Sequence, residues 1–530
     1  MFYLSKSLKA AAVLALLGTS GTFGAAQAET VLNRDMGVEL KTLDIQKMHL
    51  LAEHEFAADL FDGLLIRDAD GNIKPGVAES WDVSEDGLIY TFKLRDSQWS
   101  NGDAVTAGDF VFAIRRILSP ELASKYASTL YPITGAKAFN KGESADPDTI
   151  GAEAIDDKTL KITLSSPTSY FLDVVTTTAM LPLHQASVSA LGSEYAQPGK
   201  LISNGPFLLT ESRPKEFALL TKNEAYWDAA EVALDKVYYY QITDEATAVR
   251  KFRAGEVDIT RGSQGDNNAW ASQNMPEAVQ NATILGTEWY DLGHATPAIQ
   301  DSRVRRAINM AIDRFALTED ILQTGEQPAF GLVPPGIPGY ENASADWADL
   351  SYIERLEEAR KLMEEAGYGP DKKLEFTINF NSSELHRKSA VALADMLGEI
   401  YIDASPYNRD SSAYWDWLIS ARGEYGLARD SWVADYPDPV VFLELYMGPL
   451  VADVNGNIDE TYDALMNAAL AETDTAKRMA GLAAAEARLM EVDTIVPLYH
   501  YNSVRLVNPQ LTGWGNNPYA MHPSRYIAFK

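Results

Sequence analysis

AESWDVSEDGLIYTFKLRDSQWSNGDAVTAGDFVFAIRRILSP, residues 78–120, shows in 43 positions the alternation of strand and helix that runs through the whole chain. Tyr90-Thr91-Phe92-Lys93-Leu94 alternates apolar and polar, the period of a half-buried strand. Thr106 then stands before Phe110, Val111, Ile114 and Ile117-Leu118, which recur at helical spacing. Asp109, three residues after Thr106, completes a capping box that fixes where the helix begins. Strand periods followed by capped helical periods predict a mixed α/β protein.

The same signals recur outward from this stretch. Ser351 and Glu354 predict a second capping box, opening a helix with Ile353, Leu356, Leu362 and Met363 on its apolar face and a stop at Gly367. Ala476 to Met490 reads as a long Ala-rich helix with Lys477, Arg478, Glu486 and Arg488 on exposed faces. Loop signals gather at Pro334-Pro335-Gly336 and between Asn140 and Asp148, and there is no internal repeat, low-complexity tract or heptad.

Composition excludes several function classes. The chain holds 45 Lys and Arg against 75 Asp and Glu, a net charge of −30. Residues 1–28 read as a Sec signal peptide, with Lys6 and Lys9, an apolar run from Ala10 to Leu17, and Ala26-Gln27-Ala28 at the cleavage site. Losing those two lysines takes the mature chain to −32, a charge that repels nucleic acid and anionic lipid. The apolar run is too short to span a bilayer. There are no cysteines, so thiol catalysis, Cys-zinc sites, disulfides and a lipid anchor on Cys are all excluded. HExxH, a Walker A loop, GxGxxG after a strand and, in the mature region, GxSxG are missing. His49, Glu53, His54 and Glu55 match no standard metal-ligand spacing and read as a solvated helix face, with one His free to line a cleft. No enzyme, cofactor or metal is expected.

Residues 78–120 also resemble the signature region of the extracellular solute-binding proteins of family 5, the peptide- and nickel-binding family. Further landmarks follow in family order: Leu43-Asp44, Asp59 to Leu64, Asn204-Gly205-Pro206-Phe207, Asn223 to Trp227, Arg253 to Asp258, and Asp301 to Ala307. Ser124 to Ser128, Asn381 to His386 and Arg429 to Tyr436 are similar to its oligopeptide- and murein-tripeptide-binding branch. The resemblance implies a two-lobed periplasmic-binding-protein fold (type II, cluster C) with an additional domain and a hinge between the lobes. Its implied boundaries are a discontinuous lobe I (29–61, 186–289 and 503–530), an extra domain II (62–185) and a lobe III (290–502). It implies a monomeric periplasmic receptor that captures short peptides and delivers them to ABC-transporter permease subunits in the inner membrane.

The resemblance also assigns the site. A receptor for varied peptides must hold what all peptides share, the backbone and the charged termini. Asp435 is expected to pair with the ammonium, beside a Trp432 wall, with Tyr126 reaching in from the opposite lobe. Arg429 and His386 are expected at the carboxylate. His49, where relatives carry an acid, and Leu51 are expected along the groove, with Asn204-Gly205 as a tight turn beside it, formed through glycine's freedom in φ. The chain departs from the pattern where a Lys is expected, in Ile321-Leu322-Gln323, and where a second Arg falls at Ser420 or Arg422. Val433 occupies a position of a disulfide found in some relatives. The alternatives left open are a murein tripeptide, an opine or another nonstandard amino-bearing ligand, and, remotely, a secreted hydrolase. Asp435 argues against neutral sugars and nickel.

Overall fold

The structure, a computed structural model, describes residues 29–262, 265–323, 325–515 and 517–530, so the expected signal peptide lies outside the described residues. Three sheets organise the chain. Strand Val31–Asp35 pairs in parallel with Lys236–Tyr240, which continues antiparallel through Phe217–Lys222 to Phe207–Arg213. Strands Ala78–Val83, Ile89–Leu94, Thr159–Thr163 and Ala152–Asp156 make a second, antiparallel sheet. The third sheet has six strands, with Val279–Leu292 between Ile495–Leu506 and Leu427–Val433 in its interior.

Local signals fix the elements where expected. In Ile89–Leu94 the side chains of Tyr90, Phe92 and Leu94 turn inward and are buried. Burying a side chain such as Phe92 contributes about 1.5–3 kcal/mol. The helix Ala107–Ile117 opens on Thr106, whose N–H is accepted by the Asp109 carboxylate at 3.0 Å. Ser351 and Glu354 form the second box, and Gly367 takes a φ of +87° just past the helix end. On that helix Ile353 is 69 % exposed, contrary to expectation, and the buried face is completed by Ala359 and by Arg355, whose guanidinium lies against Phe330 and Trp347.

The long C-terminal helix, Thr475–Glu491, corrects a second reading. Arg478 and Glu486 are buried rather than exposed. Arg478 forms a bidentate pair with Asp438 at 2.6 and 2.9 Å. Glu486 accepts from the N–H groups of Leu332, Val333 and Ala343 and from the Tyr340 hydroxyl, and so holds the proline-rich loop around residue 335. Both lie on the face buried with Met479, Leu482, Leu489 and Met490, where their charges are kept by partners the local sequence does not reveal.

Two strands of the third sheet carry the chain between lobes. Val279–Thr283 pairs with Asn502–Leu506 beside the first sheet, which Ile259 joins to Val507. Past an irregularity between Thr283 and Thr287, the same two strands pair again deep in the other lobe. Such paired crossing strands, with their ladder broken here and again between Glu288 and Trp289, provide a narrow bending point.

Candidate ligand-binding site

Three parts of the chain meet around Asp435. Tyr126 comes from the domain built on the second sheet, His54 from the helix Leu51–Leu60, and Asp435 follows the strand Leu427–Val433 of the six-stranded sheet. The Tyr126 hydroxyl donates to Asp435 Oδ1 at 3.3 Å, across 309 residues of sequence. The His54 ring meets Tyr126 edge-on, with centroids 4.8 Å apart. Burial pushes the Asp435 carboxyl up to about 6, the Tyr126 hydrogen bond only partly opposing it. Burial also pushes His54 down to about 4, so its imidazole is neutral at physiological pH. Among the described residues no Lys, Arg or His forms an ion pair with Asp435. A desolvated carboxylate that meets a single neutral donor carries an uncompensated cost of burial.

The helix below this cluster corrects the reading of a solvated face. Glu53, His54 and Glu55 are all buried, and only His49 is exposed. The Glu53 carboxylate accepts from the N–H groups of His49 and Leu50, capping the helix that Leu51 begins. Glu55 is ringed by Arg34, Arg261 and Arg505. Nothing in the helix itself announces this, because those arginines come from three separate segments. No cluster of three or more ligating side chains able to hold a metal occurs among the described residues.

The other end of the proposed groove is organised differently. Arg429 is buried, and its Nε and Nη2 bond both oxygens of Glu288 at 2.7 and 2.6 Å. Nη2 also donates to Ser431 Oγ at 2.8 Å and Tyr501 Oη at 3.0 Å, while Nη1 reaches Asn381 Oδ1 at 3.3 Å. Tyr501 in turn donates to Glu288. Burial alone would lower the guanidinium pKa, but Glu288 and Tyr501 push it up, and Arg429 stays charged. The expected free fork for a ligand carboxylate is therefore already filled. The cause is register: Tyr290 faces Arg429 and Glu288 faces Ser431, so the Glu288 and Arg429 side chains meet on a cross-strand diagonal. His386 Nδ1 lies 3.1 Å from the Asn381 carbonyl, and burial and the Arg429 charge lower its pKa.

Glu288 was not among the residues expected at the site. Its signal was an acid set directly beside Trp289 and Tyr290 in a strand-like stretch rich in large apolar residues, where a buried acid demands a partner. Trp432 is 39 % exposed, so it is not a core aromatic. Asn204 and Gly205 do not join the cluster. Asn204 is buried and exchanges two hydrogen bonds with the Asp62 backbone, and Gly205 N donates to Leu60 O at 2.9 Å. A Cβ on Gly205 would sit 2.5 Å from the Leu60 carbonyl carbon. Glycine is needed there for close approach, and the expectation of a ligand-side turn through unusual φ is corrected.

Comparison with known proteins follows the same outline. Residues 72–452 match the family described as bacterial extracellular solute-binding proteins, family 5 Middle. The chain is 34 % identical over 527 residues to the periplasmic oligopeptide-binding protein OppA of Escherichia coli, covering 97 % of this chain and 96 % of that one. The structure resembles Haemophilus influenzae OppA in complex with RPPGFSPFR (TM-score 0.84, 30 % identity, 95 % of this chain and 99 % of that one). It also resembles the Escherichia coli murein tripeptide binding protein MppA (TM-score 0.85, 34 % identity, 95 % and 99 %). The unliganded open form of MppA gives a lower TM-score, 0.78, in keeping with the contact between Tyr126 and Asp435 across the lobes.

Proposed function

This chain belongs to the bacterial extracellular solute-binding proteins, family 5, and from that premise we propose that it is the periplasmic receptor of an ABC importer. It captures amino-terminated short peptides between its lobes, as its relatives are named for oligopeptides and murein tripeptides, and hands them unchanged to membrane permease subunits. The single observation that carries the reading is Asp435: a desolvated carboxylate at the junction of two lobes, bonded to a hydroxyl and, among the described residues, to no cation. A peptide ammonium supplies the missing charge, and the end of the strand nearest Asp435, Ser431–Val433, which pairs on one side only, offers the extended backbone pairing peptides favour.

In this reading the lobes are 29–61 with 186–289 and 503–530, then 62–185, then 290–502, and they close by bending at the crossing strands. The protein acts as a monomer and without a cofactor. Incubation with a peptide pool tests the reading: ligands are recovered intact from the purified protein by native mass spectrometry, and N-acetylated peptides are left behind. Shortened peptides, or equal retention of acetylated ones, would refute it.

A further inference from the structure

Three Asn-Gly pairs occur in the chain: Asn101-Gly102, Asn204-Gly205 and Asn455-Gly456. In such a pair the backbone nitrogen reaches the preceding side-chain amide most readily, because glycine adds no side chain to obstruct the approach. The fold treats the three differently. Asn204 and Asn455 are 2 % and 0 % exposed. Asn204 is pinned by its two bonds to the Asp62 backbone. Asn455 donates to Asp291 Oδ1 at 3.3 Å and accepts from Asn457 N at 3.0 Å, while Gly456 N donates to Val451 O at 3.0 Å. Neither amide can turn toward the next nitrogen without opening the core.

Asn101-Gly102 stands at the tip of a hairpin, closed by Trp99 N to Asp103 O at 2.8 Å and by a bridge between Gln98 and Ala104. Both residues are exposed, and no atom lies within 4 Å of the place a Cβ on Gly102 would take. One residue holds both ends of the Asn101 amide. Oδ1 accepts from the Asp103 N–H at 3.1 Å, and Nδ2 donates to Asp103 Oδ2 at 2.6 Å. The N–H on Oδ1 polarises the carbonyl and is placed to stabilise negative charge developing on that oxygen. The brake is the bond from Gly102 N to Trp99 O at 2.8 Å. At an exposed loop tip such a bond opens at little cost, whereas opening a core segment approaches the cost of unfolding.

We propose that Asn101 is a site of spontaneous deamidation, an age mark on the chain that does not depend on the receptor reading. Gly102 N passes its proton to water and attacks Asn101 Cγ. The Cγ–Nδ2 bond breaks, and Nδ2 leaves as ammonia with a proton from water. One water then opens the succinimide, at Cγ to give aspartate or at the Asn101 main-chain carbonyl carbon to give isoaspartate. Either product loses the Nδ2 donor and adds a negative charge beside Asp103, the acid that His184 Nε2 meets at 2.9 Å. Isoaspartate also lengthens the backbone of a hairpin that Ser100 ties to Ser203, through Ser100 N to Ser203 O at 2.8 Å and Ser203 N to Ser100 Oγ at 3.3 Å.

Peptide mapping by mass spectrometry tests this, on the purified full chain aged at mildly alkaline pH, folded and in denaturant. In the folded protein Asn101 is expected to gain about 1 Da, as NH2 gives way to OH, at least about tenfold faster than Asn204 or Asn455. Isoaspartate is expected among its products. In denaturant the three rates should converge to within about threefold, since the protection of the buried pairs is lost. Asn101→Gln, whose longer side chain closes a ring far more slowly, should remove the fast-converting site. Conversion of Asn204 or Asn455 as fast as Asn101 in the folded chain overturns the proposal. So does an Asn101 that stays intact when folded, or an unchanged spread of rates in denaturant.

Discussion

Asp435 and Arg429 sit six residues apart on one stretch of chain, yet the fold treats their charges in opposite ways. Arg429 is closed into the core by Glu288, Tyr501 and Ser431, so its charge is spent on the protein. Asp435 accepts from the neutral Tyr126 hydroxyl of another domain and, among the described residues, forms no ion pair. Charge pairing completed within the fold supports stability, whereas pairing left incomplete stores binding capacity at the expense of stability. The two residues therefore predict opposite mutational signatures.

The largest effect is expected at the completed pair. Arg429→Ala leaves Glu288 buried without a counter-charge and should destabilise the protein by about 3–5 kcal/mol, read from denaturant midpoints. A loss below about 1 kcal/mol, the scale of an exposed pair, would show that the pair is solvated and that the contrast fails.

Asp435→Asn should do the reverse to the free protein and weaken peptide binding by about 2–5 kcal/mol, the cost of breaking a buried charge pair. Without ligand, the neutral variant should be the more stable one at pH 8. Unchanged affinity in calorimetry would remove Asp435 from the site.

The pH dependence sharpens the sign. Asp435 has its folded pKa raised to about 6 from 3.8, so between those values the folded state holds a proton that the unfolded state has lost. Its contribution to stability therefore falls as pH rises through that window and stays low above it, by at most about 3 kcal/mol. An ammonium reverses the preference, so peptide affinity should drop about tenfold per pH unit below pH 6. Asp435→Asn should abolish both slopes, and a slope that persists in the variant would assign it to other groups.

The smallest effect concerns the bridge between the lobes. Tyr126→Phe removes the hydroxyl that reaches Asp435 and should weaken peptide binding by about 1 kcal/mol, since one neutral donor is lost while the ring remains on His54. A loss as large as that of Asp435→Asn would mean that Tyr126, rather than the carboxylate, anchors the ligand.

Sequence by itself determined what depends on near neighbours. Tyr90, Phe92 and Leu94 alternate because a strand has a period of two, and Thr106 with Asp109 starts a helix because both capping groups lie within one turn. The family landmarks were equally legible, and with them the expectation of two lobes and of Asp435 at the site. Tertiary structure alone decided how charges are spent. Glu288 is 141 residues from Arg429, Asp435 is 309 from Tyr126, and Arg505 is 450 from Glu55. The apolar period shows which way a side chain points, but an ion pair forms wherever the fold brings two charges together out of water. That distance effect turned an expected carboxylate clamp into a closed pair, moved Asn204-Gly205 from the groove into the core, and left Asp435 without an ion pair among the described residues.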